Sequence, residues 1–317
     1  MSWVLPPIAI AKAVAYADSI ALMAAGITLI YMCTRTFNFA HASFATWGLY
    51  VVYTMTVLIG GSPYYYLPFS FLFVGTLGVL VYLLVIGPLM RRGASPTTLM
   101  MSTLGVDLVL LSTIQMFADF LTRTYKLYAR KIVLEVYDFD LLGLPGITFI
   151  SLITVVVLIA VIHWFMVKTK FGTAMRATIE NPDLSSVLGI NPSIVYLVSW
   201  FIGGGLAGLG GGIASLAVTG DPTVGSRIVV SMFASSIVGG LYSVYGSVLG
   251  GLLIGLTEYL GIIALSFQFG GWIITYRPVI PLISMAITLL VYPKGLAGID
   301  WGKVLLKLRG LGGGSWR

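Results

Sequence analysis

The chain has 317 residues, 18 of them basic and 11 acidic; charged residues make up 9% and residues of the apolar class 58%. A water-soluble domain carries about 25% charge, so a soluble enzyme and a soluble nucleotide-binding domain are excluded. The net charge of +7 is spread over loops, which suits orientation in a bilayer and not nucleic-acid binding.

Taken in chain order, charge, proline and glycine divide the sequence into an all-α polytopic bundle of eight or nine spans, read as one transmembrane domain over residues 1–317. The N-terminus lacks a basic region, short apolar core and small-residue cleavage site, so the first span is expected to stay in place. Span 1 covers 13–34, with Asp18 near its start and Arg35 at its end. From Arg35 to Arg91 no charge intervenes other than His41. A crossing of about 30 Å takes about 20 residues at 1.5 Å each, so that stretch crosses twice. Its spans are 42–59 and 66–89, the second expected to stop at Pro88 and at Arg91-Arg92. Span 4 (98–121) contains Asp107 and ends near Asp119, which is paired with Arg123 at i, i+4. A polar connection follows to 143, then span 5 at 147–167. The segment 168–193 is the longest amphiphilic stretch. Span 6 is 194–216. Two closely spaced segments, 228–241 and 247–265, precede a last span at 274–292. The first of these is short enough to be a half-helix that dips into the membrane.

Arg35, Arg91, Arg92, Lys168, Lys170, Arg176, Lys294, Lys303, Lys307, Arg309 and Arg317 fall on one side of this scheme, and Lys12, Arg123, Lys126, Arg130, Lys131, Arg227 and Arg277 on the other. The excess marks the first side as cytoplasmic. The N-terminus then lies outside a plasma (inner) membrane, and a basic tail at 294–317 lies inside. Glycines at 204, 208 and 212, at 246 and 250, and at 251 and 255 recur every four residues, the spacing at which helices approach closely in lipid.

Catalytic motifs are missing. The sequence has no His-Glu-x-x-His helix, no Walker lysine loop and no Gly-x-Ser-x-Gly turn. Its two histidines and one cysteine cannot complete a metal set. The chain is therefore not expected to be an enzyme or to carry a cofactor or metal of its own. What stands out is polar chemistry in apolar surroundings. Asn38 and His41 join spans 1 and 2 without turn residues; Asn38 can N-cap the second span or, with His41 and Ser43, form a polar hinge on a translocation path. Asp107 and Glu258 lie deep in spans, where a charge costs about 2.5–3.5 kcal/mol, so each must be paired, protonated or turned to water. With Ser235 they complete the candidate pathway. Arg227 beside Asp221 is a candidate contact for an external binding protein. In 168–193, Arg176 and Glu180 stand at i, i+4, Pro182 starts a second short helix capped by Asn181, and Gly189 ends it. The segment keeps Leu184 and its apolar neighbours, which suits docking into a partner's groove.

Four motifs in order carry a resemblance: Asn38-Phe39-Ala40-His41, the segment around Gly172 and Gly189, Val238-Gly239-Gly240-Leu241-Tyr242-Ser243-Val244-Tyr245-Gly246, and Tyr292-Pro293-Lys294-Gly295-Leu296. Together they resemble the permease subunits of ABC importers for branched-chain amino acids. The family usually has Gly where Ala42 stands, and a Pro in the turn before Gly246. The resemblance implies a second, related or identical permease, two cytoplasmic ATPase subunits that bind ATP and Mg, and an external solute-binding protein. It also implies that Gly172, Arg176, Glu180, Asn181, Pro182, Leu184 and Gly189 belong to the segment that couples to the ATPase. Family substrates include branched-chain and other amino acids, urea and short amides. A self-sufficient secondary transporter or channel is the alternative; it would be expected to show paired inverted repeats and intramembrane ion ligands, and the sequence halves show no convincing repeat.

Overall fold

The computed structural model describes residues 6–298. The expected basic tail beyond 298, with Lys303, Lys307, Arg309 and Arg317, lies outside the described residues. In hydrocarbon every backbone polar group must be bonded within the protein, which leaves helices as the spanning element here. Eight helices among the described residues are long and apolar enough to cross a membrane, with a ninth, shorter apolar helix beside them.

The centre is α1 (Pro7–Thr34) against α9 (Pro192–Ala217). They run antiparallel, Gly26 meeting Gly203 and Gly210 meeting Ser19 and Met23. The glycine rows sort by partner. Gly204, Gly208 and Gly212 face the helix formed by α3 (Leu67–Val81), whereas Gly251 and Gly255 of α11 (Val244–Phe269) lie on Ala21 and Ala17 of α1. A Cβ at Gly211 would sit 1.8 Å from the Ala45 carbonyl oxygen of α2 (His41–Ile59). No side chain fits there.

The pairing of helices repeats. After α1 come α2, which crosses to pack on α9, and α3, which packs along α9. After α9 come α10 (Val224–Gly239), which crosses to pack on α1, and α11, which packs along α1. Because α1 and α9 are antiparallel, the two sets form inverted repeats, a symmetry the residue pattern does not display.

Each repeat contains a segment that turns back into the bundle. α1 ends at Thr34, yet His41 at the start of α2 bonds the carbonyl of Met23, eleven residues earlier, about 16 Å back along the helix. Residues 35–40 therefore descend into the protein and are sealed there by Thr103, seven residues into α5 (Pro96–Tyr125), whose hydroxyl accepts from Phe39 N at 3.1 Å. Residues 218–223 mirror this, with Gly220 and Ile132 exchanging backbone hydrogen bonds of 2.9 and 2.8 Å. The chain turns back a third time at 270–278, where Arg277 meets Glu258, eleven residues before α11 ends. The expected span at 274–292 is thus a 3-10 turn, Gly271–Tyr276, followed by the shorter α12 (Val279–Val291).

Pro88 does not end its helix. A π-helical turn at Tyr82–Ile86 lets Gly87 N–H bond Tyr82 O, and α4 (Gly87–Arg91) continues the same rod. The wider turn absorbs the hydrogen bond that the proline cannot make. α6 (Gly146–Lys168) leads into α7 (Lys170–Glu180) and α8 (Pro182–Val187). A two-residue-per-strand hairpin, Asp140–Leu141 with Leu144–Pro145, decorates the opposite side.

Candidate functional site

Two buried polar centres and one exposed helix pair hold the residues singled out from sequence. The first centre surrounds the start of α2. Its N-cap is Ala40, with no side-chain cap of its own, and both polar atoms of the buried Asn38 side chain lack a partner. Asn38 is therefore not the N-cap; its contribution is a backbone carbonyl accepting from His41 N. The free amide of Ser43 bonds Asp107 Oδ1 at 3.2 Å instead, and Ser43 Oγ donates to the same oxygen at 2.6 Å. A carboxylate from α5 thus sits at the positive end of α2, where charge and helix dipole favour each other. The sequence separation of 64 residues hides this cap. His41 is fully buried, and its second ring nitrogen, Nδ1, has no partner.

The start of α10 is held in the same way. Gly225 N bonds Thr46 Oγ1 of α2 at 3.0 Å, and a Cβ at Gly225 would lie 1.9 Å from Ala42 O. Two helices thus begin side by side inside the protein. Ser235 is buried in the contact with α11 and turns its hydroxyl to Ser231 O of its own helix at 2.6 Å. Where α10 begins, Arg227 pairs with Asp221. Partial burial raises the Asp221 carboxyl, but hydrogen bonds from Thr223 and the Arg227 guanidinium outweigh it and hold the group below the usual carboxylate range. Asp119 pairs with Arg130 at 2.8 Å and not with Arg123, because the chain turns back after Lys126, the left-handed C-cap of α5, and brings Arg130 beside it.

The second centre is Glu258. Its Oε1 accepts from Arg277 Nε at 2.6 Å and from Tyr16 OH at 3.0 Å. The guanidinium lies 4.2 Å from the Tyr16 ring centroid and 5.3 Å from that of Tyr259. Both residues line a cavity of about 570 Å³ between α1, α10, α11 and the turn at 270–278. A smaller cavity of about 360 Å³ shares Val218, Thr219, Ile274 and Arg277 with it and reaches the Lys12–Glu135 ion pair.

The exposed pair is α7–α8. Thr169 Oγ1 accepts from Gly172 N and Asn181 Oδ1 from Leu184 N, at 2.9 and 3.0 Å, so each short helix has its own N-cap. Gly172 packs on the carbonyls of Phe165 and Met166, and Gly189 closes the motif at φ +84°. Met175 and Thr178 are buried, while Leu184, Val187 and Leu188 are exposed. Arg176 turns to Thr173 Oγ1 at 3.4 Å, and no ion pair with Glu180 forms. Arg35 Nη2 donates to Ile179 O of α7 at 3.2 Å and its guanidinium lies 5.4 Å from the Tyr242 ring centroid. The residues leading back into the bundle are thereby tied to the surface helices. Among the described residues no three His, Cys, Asp or Glu side chains gather as a metal site.

Residues 9–291 match the family described as the permease component of the branched-chain amino acid transport system. A probable branched-chain amino acid transport permease protein LivH of Methanocaldococcus jannaschii is 39% identical over 292 residues, 92% of each chain. The high-affinity branched-chain amino acid transport system permease protein BraD of Pseudomonas aeruginosa is 23% identical over 88% of this chain and 91% of its own. The nucleoside ABC transporter permease protein NupC of Lactococcus lactis is 34% identical over 34% of each chain. No solved structure matches the chain significantly.

Proposed function

The chain belongs to the branched-chain amino acid transport permease family, and from that membership we propose that it is the membrane-spanning subunit of an ABC-type importer. It moves branched-chain amino acids inward by alternating access, with other amino acids, urea or short amides as the wider range. Two relatives aligned over most of their length carry branched-chain amino acids in their names, whereas the nucleoside permease aligns over about a third.

The energy comes from elsewhere: two cytoplasmic ATPase subunits bind ATP and Mg, and this chain holds neither. The observation that carries the reading is the α7–α8 pair, capped at both starts, with Leu184, Val187 and Leu188 exposed on the side of the 168–193 segment. That side is cytoplasmic in this reading, the N-terminus is outside, and Gly172, Arg176, Glu180, Asn181, Pro182, Leu184 and Gly189 form the handle that an ATPase groove grips. Movement of the handle reaches the bundle through Arg35, which bonds α7 and flanks the turn-back segment. A second permease, homologous or identical, completes the pathway. An external binding protein delivers solute near Arg227. Of the pathway candidates, Glu258 lines a cavity, while Asn38, His41, Ser43, Asp107 and Ser235 surround the starts and contacts of α2 and α10.

The test is reconstitution with the ATPase subunits. Substituting Arg176, Glu180 and Leu184 together is expected to abolish ATPase association and solute-stimulated hydrolysis; if both persist, the handle is misassigned. Proteoliposomes holding this chain alone should show no uphill uptake, and uptake driven by a proton or sodium gradient would favour a secondary transporter.

A further inference from the structure

We propose that the cavity at Glu258 and Arg277 is a binding subsite for the zwitterionic head of an amino acid, whose carboxylate docks on Arg277 and whose ammonium docks on Glu258. The inference rests on the permease reading and adds the chemistry of recognition to it.

The geometry of the pair carries the argument. A carboxylate and a guanidinium that anchor two segments frequently pair in a bidentate manner, through two parallel hydrogen bonds. Here they meet side-on through a single bond, Nε to Oε1 at 2.6 Å, and Tyr16 OH occupies the same oxygen at 3.0 Å. Glu258 Oε2 is buried with no partner, and so is Arg277 Nη2. Glu258 itself is 2% exposed. Buried polar atoms are almost always satisfied, and leaving one on a charged group unmade is costly. One spare acceptor and one spare donor, on adjoining groups of opposite charge, match the two charged groups that an amino acid carries on one carbon.

The remaining walls fit the rest of such a molecule. Val224, Ile228 and Ile274 line the same space of about 570 Å³, within the range of small-molecule sites, about 300–1,000 Å³. They present apolar surface to a branched aliphatic side chain. The adjoining cavity supplies an approach from Lys12 and Glu135, sharing Arg277 with the site.

The test uses the complete importer in nanodiscs, without its binding protein, and measures radiolabelled L-leucine binding directly. The unsubstituted protein is expected to bind L-leucine, with 4-methylpentanoate, which lacks the amine, and 3-methylbutylamine, which lacks the carboxylate, each competing at least about tenfold less well. Glu258→Gln and Arg277→Gln should each weaken leucine binding at least about tenfold. Val230→Trp, which fills the cavity and leaves the pair intact, should also weaken it, and this variant decides the matter where the charge variants do not assemble. Leucine binding that is undetectable in the unsubstituted protein, equal competition by both truncated analogues, or binding untouched by Val230→Trp overturns the subsite. If ATP-driven leucine uptake still proceeds in that case, the permease reading stands without the subsite. If no amino acid is taken up with ATP, the permease reading itself has failed.

Discussion

The two buried polar centres differ in how their groups are employed. Around the start of α2, Ser43 and Asp107 bond each other and a helix amide, Thr46 holds the first turn of α10, and Thr103 holds residues 37–39. These groups replace water for backbone that leaves its helix inside the bilayer. Around Glu258 the side chains hold one another by single bonds, retain unused polar atoms and border open space. Glu258 is buried and paired with a guanidinium, whereas Asp107 is half-buried without an ion pair among the described residues. Unused polar atoms occur in both places, on Asn38 and His41 in the first and on Glu258 and Arg277 in the second. What sets the Glu258 centre apart is that its unused atoms sit on adjoining groups of opposite charge that line a cavity of about 570 Å³.

Substitutions can break this contrast, beginning with the most damaging. Gly225→Val places side-chain atoms on Ala42 O and Thr46 Oγ1, to which even a Cβ comes within 1.9 and 2.4 Å. It should cost about 3 kcal/mol or more and remove the folded monodisperse protein from size-exclusion profiles in detergent. Asp107→Ala takes away the acceptor for Ser43 N and should lower stability by about 1–3 kcal/mol, read as thermal unfolding. Asp107→Asn, which keeps an acceptor oxygen, should recover much of that loss; equal loss in both variants would deny the capping role. Arg35→Ala cuts an exposed link to Ile179 O. It should reduce uptake per ATP hydrolysed by about fivefold or less, and an unchanged ratio would remove Arg35 from the coupling route.

The smallest effect concerns Asp221. Its folded carboxyl titrates below the usual range, so its stabilisation is present above the unfolded value near pH 3.9 and fades as pH falls toward the folded one. Melting temperatures of the unsubstituted protein and of Asp221→Asn should differ at neutral pH and converge in acid. A difference that grows in acid would reverse the sign.

Much of the architecture was legible because uncharged length alone forces crossings. The charge-free stretch from Arg35 to Arg91, the glycine rows and the Asn181-Pro182 start of α8 all find their expected places. What escaped reading has a common cause. A segment that turns back inside a bilayer is as apolar as a helix, so residues 274–278 merge with α12 in the sequence, and residues 35–40 read as a plain connection between two spans. The capping of α2 by Asp107 and the pairing of Asp119 with Arg130 join residues that only the fold brings together. The inverted repeat escaped because it resides in which helices pack, and each copy fills its contacts with different residues: glycine against α3 in one, alanine against α11 in the other.

The bond from Gly225 N to Thr46 Oγ1 ties the two halves together where the starts of α2 and α10 meet. α2 and α10 both lean on it, one in each half, and no side chain fits at Gly225 between them. They behave mechanically as one strut set across two pillars. In the permease reading, a push applied at the cytoplasmic face therefore reaches both halves at once.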